Sequence, residues 1–216
     1  MRGVTGTSGP SRSPGGADDV AAVVLAAGCS TRMGVQKLLL PVGDRPMVRR
    51  VVDAATASSV AQTIVVVGHE ADAVRAVVGD APVTVTVNAD YADGLSTSVR
   101  AGLREVPARC AAAIFLHGDQ PYVTPALLDR MIDRFRATWA TVVRPEAGGR
   151  PANPVLMSAA LFPEVLEQQG DVGGREVVER HAAEVSLVTV DDPRLCADID
   201  SPEEYQAARE STDEAS

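Results

Sequence analysis

The stretch "LAAGCSTRMGVQK", residues 25–37, sets a glycine turn and two spaced cations behind an apolar run. Backbone N–H groups exposed by such a turn bind phosphate oxygens without bringing a formal charge. Arg32 adds a forked guanidinium and Lys37 a compact ammonium. Together they suit a triphosphate and can offset charge that builds up on its α-phosphate. Lys and Arg number 20, and Lys37 is the one lysine among them. A chain that uses arginine everywhere else keeps an ammonium here, which argues that a guanidinium will not substitute. The stretch is neither the GxxxxGK[ST] phosphate loop nor the GxGxxG dinucleotide turn. A plain strand–helix loop with solvated cations is the competing reading.

Three other stretches carry chemistry. "FLHGDQP" places Asp119 just after a glycine at the tip of an apolar run, where a carboxylate can ligate Mg²⁺ and the metal can bridge to a phosphate oxygen. "CADIDSPEEY" places Asp198 and Asp200 two apart, on one side of an extended segment. One of them can complete a Mg²⁺ site with Asp119, or Asp200 or Ser201 can cap a helix. "NADYADGLSTSVRAGL" offers Asn88 in a loop, a tight turn at Gly94, and Ser96 and Ser98 at a helix start. Free N–H groups and hydroxyls there suit a base edge or a ribose, and ordinary capping by Ser96 explains the same pattern.

The elements that must position these residues are short apolar runs alternating with amphipathic stretches. Buried strands are predicted at 20–26, 63–68, 83–87 and 110–118, with later strands near 140–143, 154–157 and 185–190. Helices are predicted at 47–57, 71–78 and 96–106, then after Thr124 as cap with Pro125 behind it, and finally from Pro202. This order implies an α/β fold, a three-layer sandwich around a mostly parallel sheet. Ligands of such sheets sit beyond the carboxyl ends of the strands, which singles out the loops after Ala26, Gly68, Val87 and His117. Residues 1–18 are rich in Gly, Ser and Pro and read as a disordered leader. One domain follows over 19–208, and an acidic tail over 209–216.

Composition narrows the function. The chain has 216 residues, enough for one domain with a real core, and aromatics are only 3%, so that core must be Val, Ala and Leu. The net charge of −9 argues against a general nucleic-acid binder. Cys29, Cys110 and Cys196 form neither a disulfide framework nor a CxxC metal site. No apolar run approaches the roughly 20 residues that cross a bilayer, so the expected compartment is the cytoplasm, with no membrane partner.

The pattern LAAGxSxRMGxxKLLLPxGxRP resembles the signature of the MobA-like nucleotidyltransferases, and the likeness continues over about residues 20–207. Within that group the chain looks most like the molybdenum cofactor cytidylyltransferases, in which the double alanine of "LAAG" marks enzymes that use CTP. The resemblance implies the Rossmann-like nucleotidyltransferase (nucleotide-diphospho-sugar transferase) fold. It implies Mg²⁺-dependent transfer of CMP from CTP to the phosphate of molybdopterin or the molybdenum cofactor, with release of pyrophosphate. Arg32 and Lys37 would be catalytic. Leu25, Ala26, Ala27, Gly28, Gly68, Asn88, Gly94, Leu95 and Ser96 would bind the nucleotide, and Asp119 and Asp200 the metal, with Asp200 favoured over Asp198.

"RPANPVLMS" and "GDVGGR" look like the family's acceptor segment, so Asn153 and Arg175 would bind the acceptor. Tyr91 stands where tryptophan is common, and Ser201 where threonine is. His117 reads as structural. The alternatives are a guanylyltransferase, a transferase acting on a sugar or isoprenoid phosphate, and a cofactor-binding chaperone. A transient contact with a molybdenum hydroxylase or its chaperone also fits the resemblance.

Overall fold

Strand β1 (Asp19–Ala26) is buried along its whole apolar run and feeds two cores at once. Val20, Ala22, Val24 and Ala26 face one side, and Ala21, Val23 and Leu25 the other. A strand with both faces covered has no polar side to show, which is why it reads as a continuous apolar stretch. The computed structural model of the chain describes residues 18–29 and 35–213.

The chain continues through β2 (Pro41–Val42) and β3 (Arg45–Pro46), a small antiparallel hairpin, into α1 (Met47–Ala57). Then come β4 (Gln62–Val67), α2 (Ala71–Val78), β5 (Thr84–Val87), α3 (Leu95–Arg104) and β6 (Cys110–His117). Helix α4 (Pro125–Thr138) starts with Thr124 accepting from the Leu127 N–H and Pro125 in the first turn, as predicted. The second half holds β7 (Val142–Ala147), β8 (Arg150–Pro151), β9 (Val155–Ser158), α5 (Phe162–Glu167), α6 (Arg175–Arg180), β10 (Val185–Val190) and α7 (Pro202–Asp213).

The large sheet runs β10-β7-β9-β6-β1-β4-β5, with β8 paired to β7. Strands β6, β1, β4 and β5 are parallel neighbours, and β10 is parallel to β7. Strand β9 runs antiparallel to both β6 and β7. Only residues 148–154 separate β7 from β9, too few for a parallel crossover, which needs about a dozen residues or more. Helices α1, α2 and α4 cover one face and α3, α5 and α6 the other, giving three layers. Each fully buried Val or Leu contributes about 1.5–3 kcal/mol, so the scarcity of aromatics is offset by number.

Two boundaries differ from the sequence reading. Strand β7 begins later than expected and continues through Arg144 and Pro145, which interrupt its apolar pattern. Helix α7 carries through 209–213, so the expected tail starts as helix, and 214–216 lie outside the described residues. The expected leader also lies outside them apart from Asp18, whose carboxylate meets Arg136 at 3.2 Å.

Candidate active site

Because β1, β4, β5 and β6 are parallel, their carboxyl ends share one edge, and a cavity of about 730 Å³ opens there. Lys37 reaches it from a 3₁₀ turn (Lys37–Leu39) clamped on both sides. Before it, the buried Gln36 donates to the carbonyls of Gly28 and His69, both at 3.2 Å. After it, Leu38 is buried in the core. The Lys37 ammonium donates to Asp200 Oδ1 at 2.7 Å and to the Ile199 carbonyl at 3.0 Å, and stands 2.6 Å from Asp119 Oδ2. Burial works against its charge, but the charges and hydrogen bonds of Asp119 and Asp200 prevail and raise its pKa above the ordinary lysine value.

Asp119 sits where β6 ends, and its neighbours fix it. Gln120 is fully buried, accepts from the His117 N–H at 3.2 Å and donates to the Cys196 carbonyl at 3.3 Å. The Ile199 N–H donates to the Asp119 carbonyl at 3.0 Å. The "GDQP" turn is thus stitched to the "ADIDSP" segment through backbone and amide. Asp200 in turn precedes a capping box: Ser201 Oγ accepts from the Glu204 N–H, and Glu204 Oε2 accepts from the N–H groups of Asp200 and Ser201. Ser201 is therefore the cap, and the Asp200 carboxylate is turned to Lys37.

Asp119 Oδ1 is buried with no hydrogen-bond partner among the described residues. Its other oxygen and Asp200 Oδ1 converge on a single positive centre. Two such carboxylates, with phosphate oxygens and water completing the shell, fit a hard divalent cation. Charge points the same way: Asp93, Asp119, Asp171 and Asp200 line the cavity against Lys37, so a polyphosphate needs added positive charge to enter. Among the described residues no three His, Cys, Asp or Glu side chains form a complete metal cage. Burial and the Asp119 charge push the neighbouring Asp198 carboxyl up to about 6.

The nucleotide-binding expectations divide. Leu25, Ala27, Gly28, Gly94 and Leu95 line the cavity, with Ser98 beside them. Ala26 points into the opposite core, and Gly68 packs so tightly that an added Cβ would lie 2.8 Å from the Ala27 Cβ. Asn88 is buried as a strut: its amide donates to Thr97 Oγ1 at 2.8 Å and Ser98 Oγ at 2.9 Å, and its Oδ1 accepts from the Asp90 N–H. Ser96 does not cap α3; it is fully buried and its Oγ meets no partner among the described residues. Arg32 lies outside the described residues.

The cap of α3 comes from far away. Asp171 Oδ1 accepts from the Leu95 N–H at 3.2 Å. Gly94 has φ +107°, and a Cβ there would lie 2.5 Å from the Gly170 carbonyl carbon. Only glycine allows both the dihedral and that approach. Asp171 also belongs to a second cavity, of about 510 Å³, which shares Leu25, Leu95 and His117 with the first. Asn153 and Arg175 line this second cavity, as does Arg144. Arg175 is largely exposed and paired with Glu179 at 2.7 Å. The sequence reading missed Gln36, Gln120, Asp171 as a cap, Arg144, and the place of His117 between the cavities. For Asp171 and Gln120 the motifs "GDVGGR" and "GDQP" were the available signal.

A doubly covered α/β sheet with paired carboxylates and a lysine at its carboxyl edge is the arrangement expected of a nucleotidyltransferase. The MobA-like NTP transferase domain matches residues 22–185, and the chain belongs to that family. It is 28% identical over 194 residues to the molybdenum cofactor cytidylyltransferase of Escherichia coli (strain K12), covering 87% of this chain and 94% of that protein. It is 36% identical over 115 residues to the bifunctional protein GlmU of Kineococcus radiotolerans, covering 51% of this chain and 23% of GlmU.

Two solved structures are similar over most of their length. One is a Mycobacterium tuberculosis Rv0371c homologue from Mycobacterium sp. strain JC1, with TM-score 0.83 and 28% identity, covering 92% of this chain and 99% of that one. The other is Rv0371c of Mycobacterium tuberculosis H37Rv in complex with manganese, with TM-score 0.77 and 30% identity, covering 89% and 99%. Among the described residues no helix is long and apolar enough to cross a membrane.

Proposed function

We propose that this chain transfers CMP from CTP to the phosphate of molybdopterin carrying molybdenum, using Mg²⁺ and releasing pyrophosphate. The observation that carries the reading is the convergence of Asp119, Asp200 and Lys37 on one point beside the larger cavity. The cytidylyltransferase relative, matched over most of both chains, supports the choice of base and acceptor.

In this reading Asp119 and Asp200 hold the metal, which supplies charge to the α-phosphate when bound. The Lys37 ammonium, kept protonated by its carboxylate neighbours, adds positive charge beside the triphosphate. Arg32 adds a second cation from the glycine loop. The base and ribose lie along Leu25, Ala27, Gly28, Gly94 and Leu95. The acceptor enters the second cavity past Asn153 and Arg175 and meets the nucleotide where the two cavities join. Its phosphate oxygen attacks the α-phosphorus in line, one P–O bond forms, and the bond to pyrophosphate breaks. The attacking oxygen is already ionised, so no general base is needed, and catalysis is positioning plus charge stabilisation. The working unit is one domain over 19–208, acting in the cytoplasm and handing its product to a molybdenum hydroxylase.

The test is an NTP screen with pyrophosphate detection, in Mg²⁺ and molybdenum cofactor. CTP should turn over well and GTP poorly, and a preference for GTP rejects the cytidylyl reading. A second reading is transfer to a sugar phosphate by the same family of NTP transferases. Faster turnover with a sugar 1-phosphate than with molybdenum cofactor would favour it.

A further inference from the structure

Arg144 stands out among the arginines. It lies on β7, on the sheet face it shares with Val142 and Met157, and is half-buried. Arg49, Arg136, Arg175 and Arg194 each have a carboxylate within ion-pair distance. Among the described residues Arg144 has none, and neither has the half-buried Arg100, whose guanidinium donates to the Gln168 carbonyl instead. The Arg144 Nε donates to the Ala152 carbonyl at 3.0 Å, and its two terminal nitrogens meet no acceptor among those residues. A guanidinium stays charged in a protein, and burying one without a counter-charge is costly. Burial first, and the nearby Arg175 charge second, lower the pKa of Arg144 below the ordinary arginine value.

The group opens onto the second cavity, of about 510 Å³. Asp171 and Glu179 also line that cavity, but Asp171 is engaged by the Leu95 N–H and Glu179 by Arg175. The rest of the wall is mostly apolar, with Val99, Phe115, Val155, Met157 and Val178, and carries the polar side chains of His117 and Asn153. We propose that Arg144 is the seat of the acceptor's anionic group, and that this cavity takes a phosphomonoester with a flat body. Arg175 stands at the rim as a second, solvated cation. A mostly apolar wall gives little to the hydroxyls of a sugar, so the cavity discriminates by the body as well as by the phosphate. The identification of this ligand as the acceptor rests on the transfer reading above; the anion seat itself does not.

The test uses phenyl phosphate as a flat phosphomonoester and glucose 1-phosphate as a polar-bodied one, titrated calorimetrically into wild type, Arg144→Met and Arg144→Lys. Wild type should bind phenyl phosphate more tightly than glucose 1-phosphate. Arg144→Met should weaken phenyl phosphate about tenfold or more, with Arg144→Lys intermediate. CTP affinity in Mn²⁺ should change less than twofold in both variants. The melting temperature of Arg144→Met should equal or exceed that of wild type, because a half-buried cation with no carboxylate partner has been replaced by an apolar side chain. A residue that merely supports the fold would instead lower the melting temperature and both affinities together. Equal phenyl phosphate binding by wild type and Arg144→Met, including none by either, overturns the proposal. So does an equal fall in CTP affinity. Should Arg144→Met fail to fold, Arg144→Lys carries the same comparison. The CTP-against-GTP screen can fail without touching this result, so the two readings are separable.

Discussion

Asp171 accepts the first helical N–H of α3, that of Leu95, across 76 residues of sequence. The same contact lies where the two cavities adjoin, because Leu95 and Asp171 line both. One hydrogen bond therefore caps a helix, adds negative charge at its positive end, and ties the second half of the chain to the first.

Asp171→Ala should cost about 0.5–2 kcal/mol of stability, the usual range for losing a helix cap. Urea unfolding followed by circular dichroism measures it. CTP and acceptor KM should rise together, since both cavities lose a shared wall. A stability loss with both KM values unchanged would confine Asp171 to capping.

Gln120→Leu keeps the volume and removes both hydrogen bonds of a fully buried amide. The His117 N–H and the Cys196 carbonyl lose their partner, at a cost of about 1–3 kcal/mol for each group left unsatisfied. Because Gln120 ties the "GDQP" turn to the segment that leads to Asp200, the spacing of Asp119 and Asp200 should loosen. Mn²⁺ titration followed by electron paramagnetic resonance should show weaker binding by Gln120→Leu, and unchanged affinity would argue that the carboxylates are positioned by other contacts.

Away from the site, His181 bridges Glu184 at 2.9 Å and Glu164 at 3.0 Å. Arg180 also faces Glu164, at 3.1 Å. The hydrogen bonds to Glu184 and Glu164 raise the His181 pKa above the usual histidine value. A raised folded pKa means the contribution is fully present below the unfolded value, about 6.5, and is lost as pH rises through the folded value. Glu164 and Glu184 are held below the usual glutamate range, chiefly by hydrogen bonds to His181 and to Thr141 respectively, so their share is lost only on acidification through their own range. The stability gap between wild type and His181→Gln should therefore be widest near pH 5–6 and shrink toward pH 8–9, about where His and Glu ordinarily titrate apart. Urea midpoints across that range check it, and a gap that widens with pH would reverse the assignment.

Strands β1, β4 and β6 are legible because a strand buried on both faces must be apolar throughout, with no helix period to confuse it. The meeting of Lys37, Asp119 and Asp200 is legible for a related reason: each motif follows a strand tip or precedes a helix start, and parallel strands bring their tips to one edge. Contacts at long sequence separation are not. Asp171 on α3, Gln120 on Cys196 and Gln36 on His69 depend on packing that no local pattern encodes. Asn88 shows the converse, since a polar residue in a loop looks ready for a ligand until its amide is seen to be committed to Thr97 and Ser98. Arg144 escaped notice because a charge inside an apolar run looks like the end of a strand.

The lone lysine yields the sharpest prediction. The Lys37 ammonium has three N–H donors, and among the described residues Asp119 Oδ2, Asp200 Oδ1 and the Ile199 carbonyl gather around it at 2.6, 2.7 and 3.0 Å. A planar guanidinium is longer and fans its donors in one plane, so it cannot meet three oxygens gathered around a single point. Lys37→Arg should keep the fold, because Gln36 and Leu38 still anchor the backbone on either side. Its kcat should fall about 10²–10³-fold, the usual scale for losing a charge-stabilising donor in transfer chemistry. Far-ultraviolet circular dichroism and steady-state pyrophosphate release separate the two effects. Lys37→Met should fare as badly in turnover, and should bind Mn²⁺ no more weakly than wild type, since the competing ammonium between the two carboxylates has gone. Full activity in Lys37→Arg would show that the charge alone suffices and that its shape does not matter.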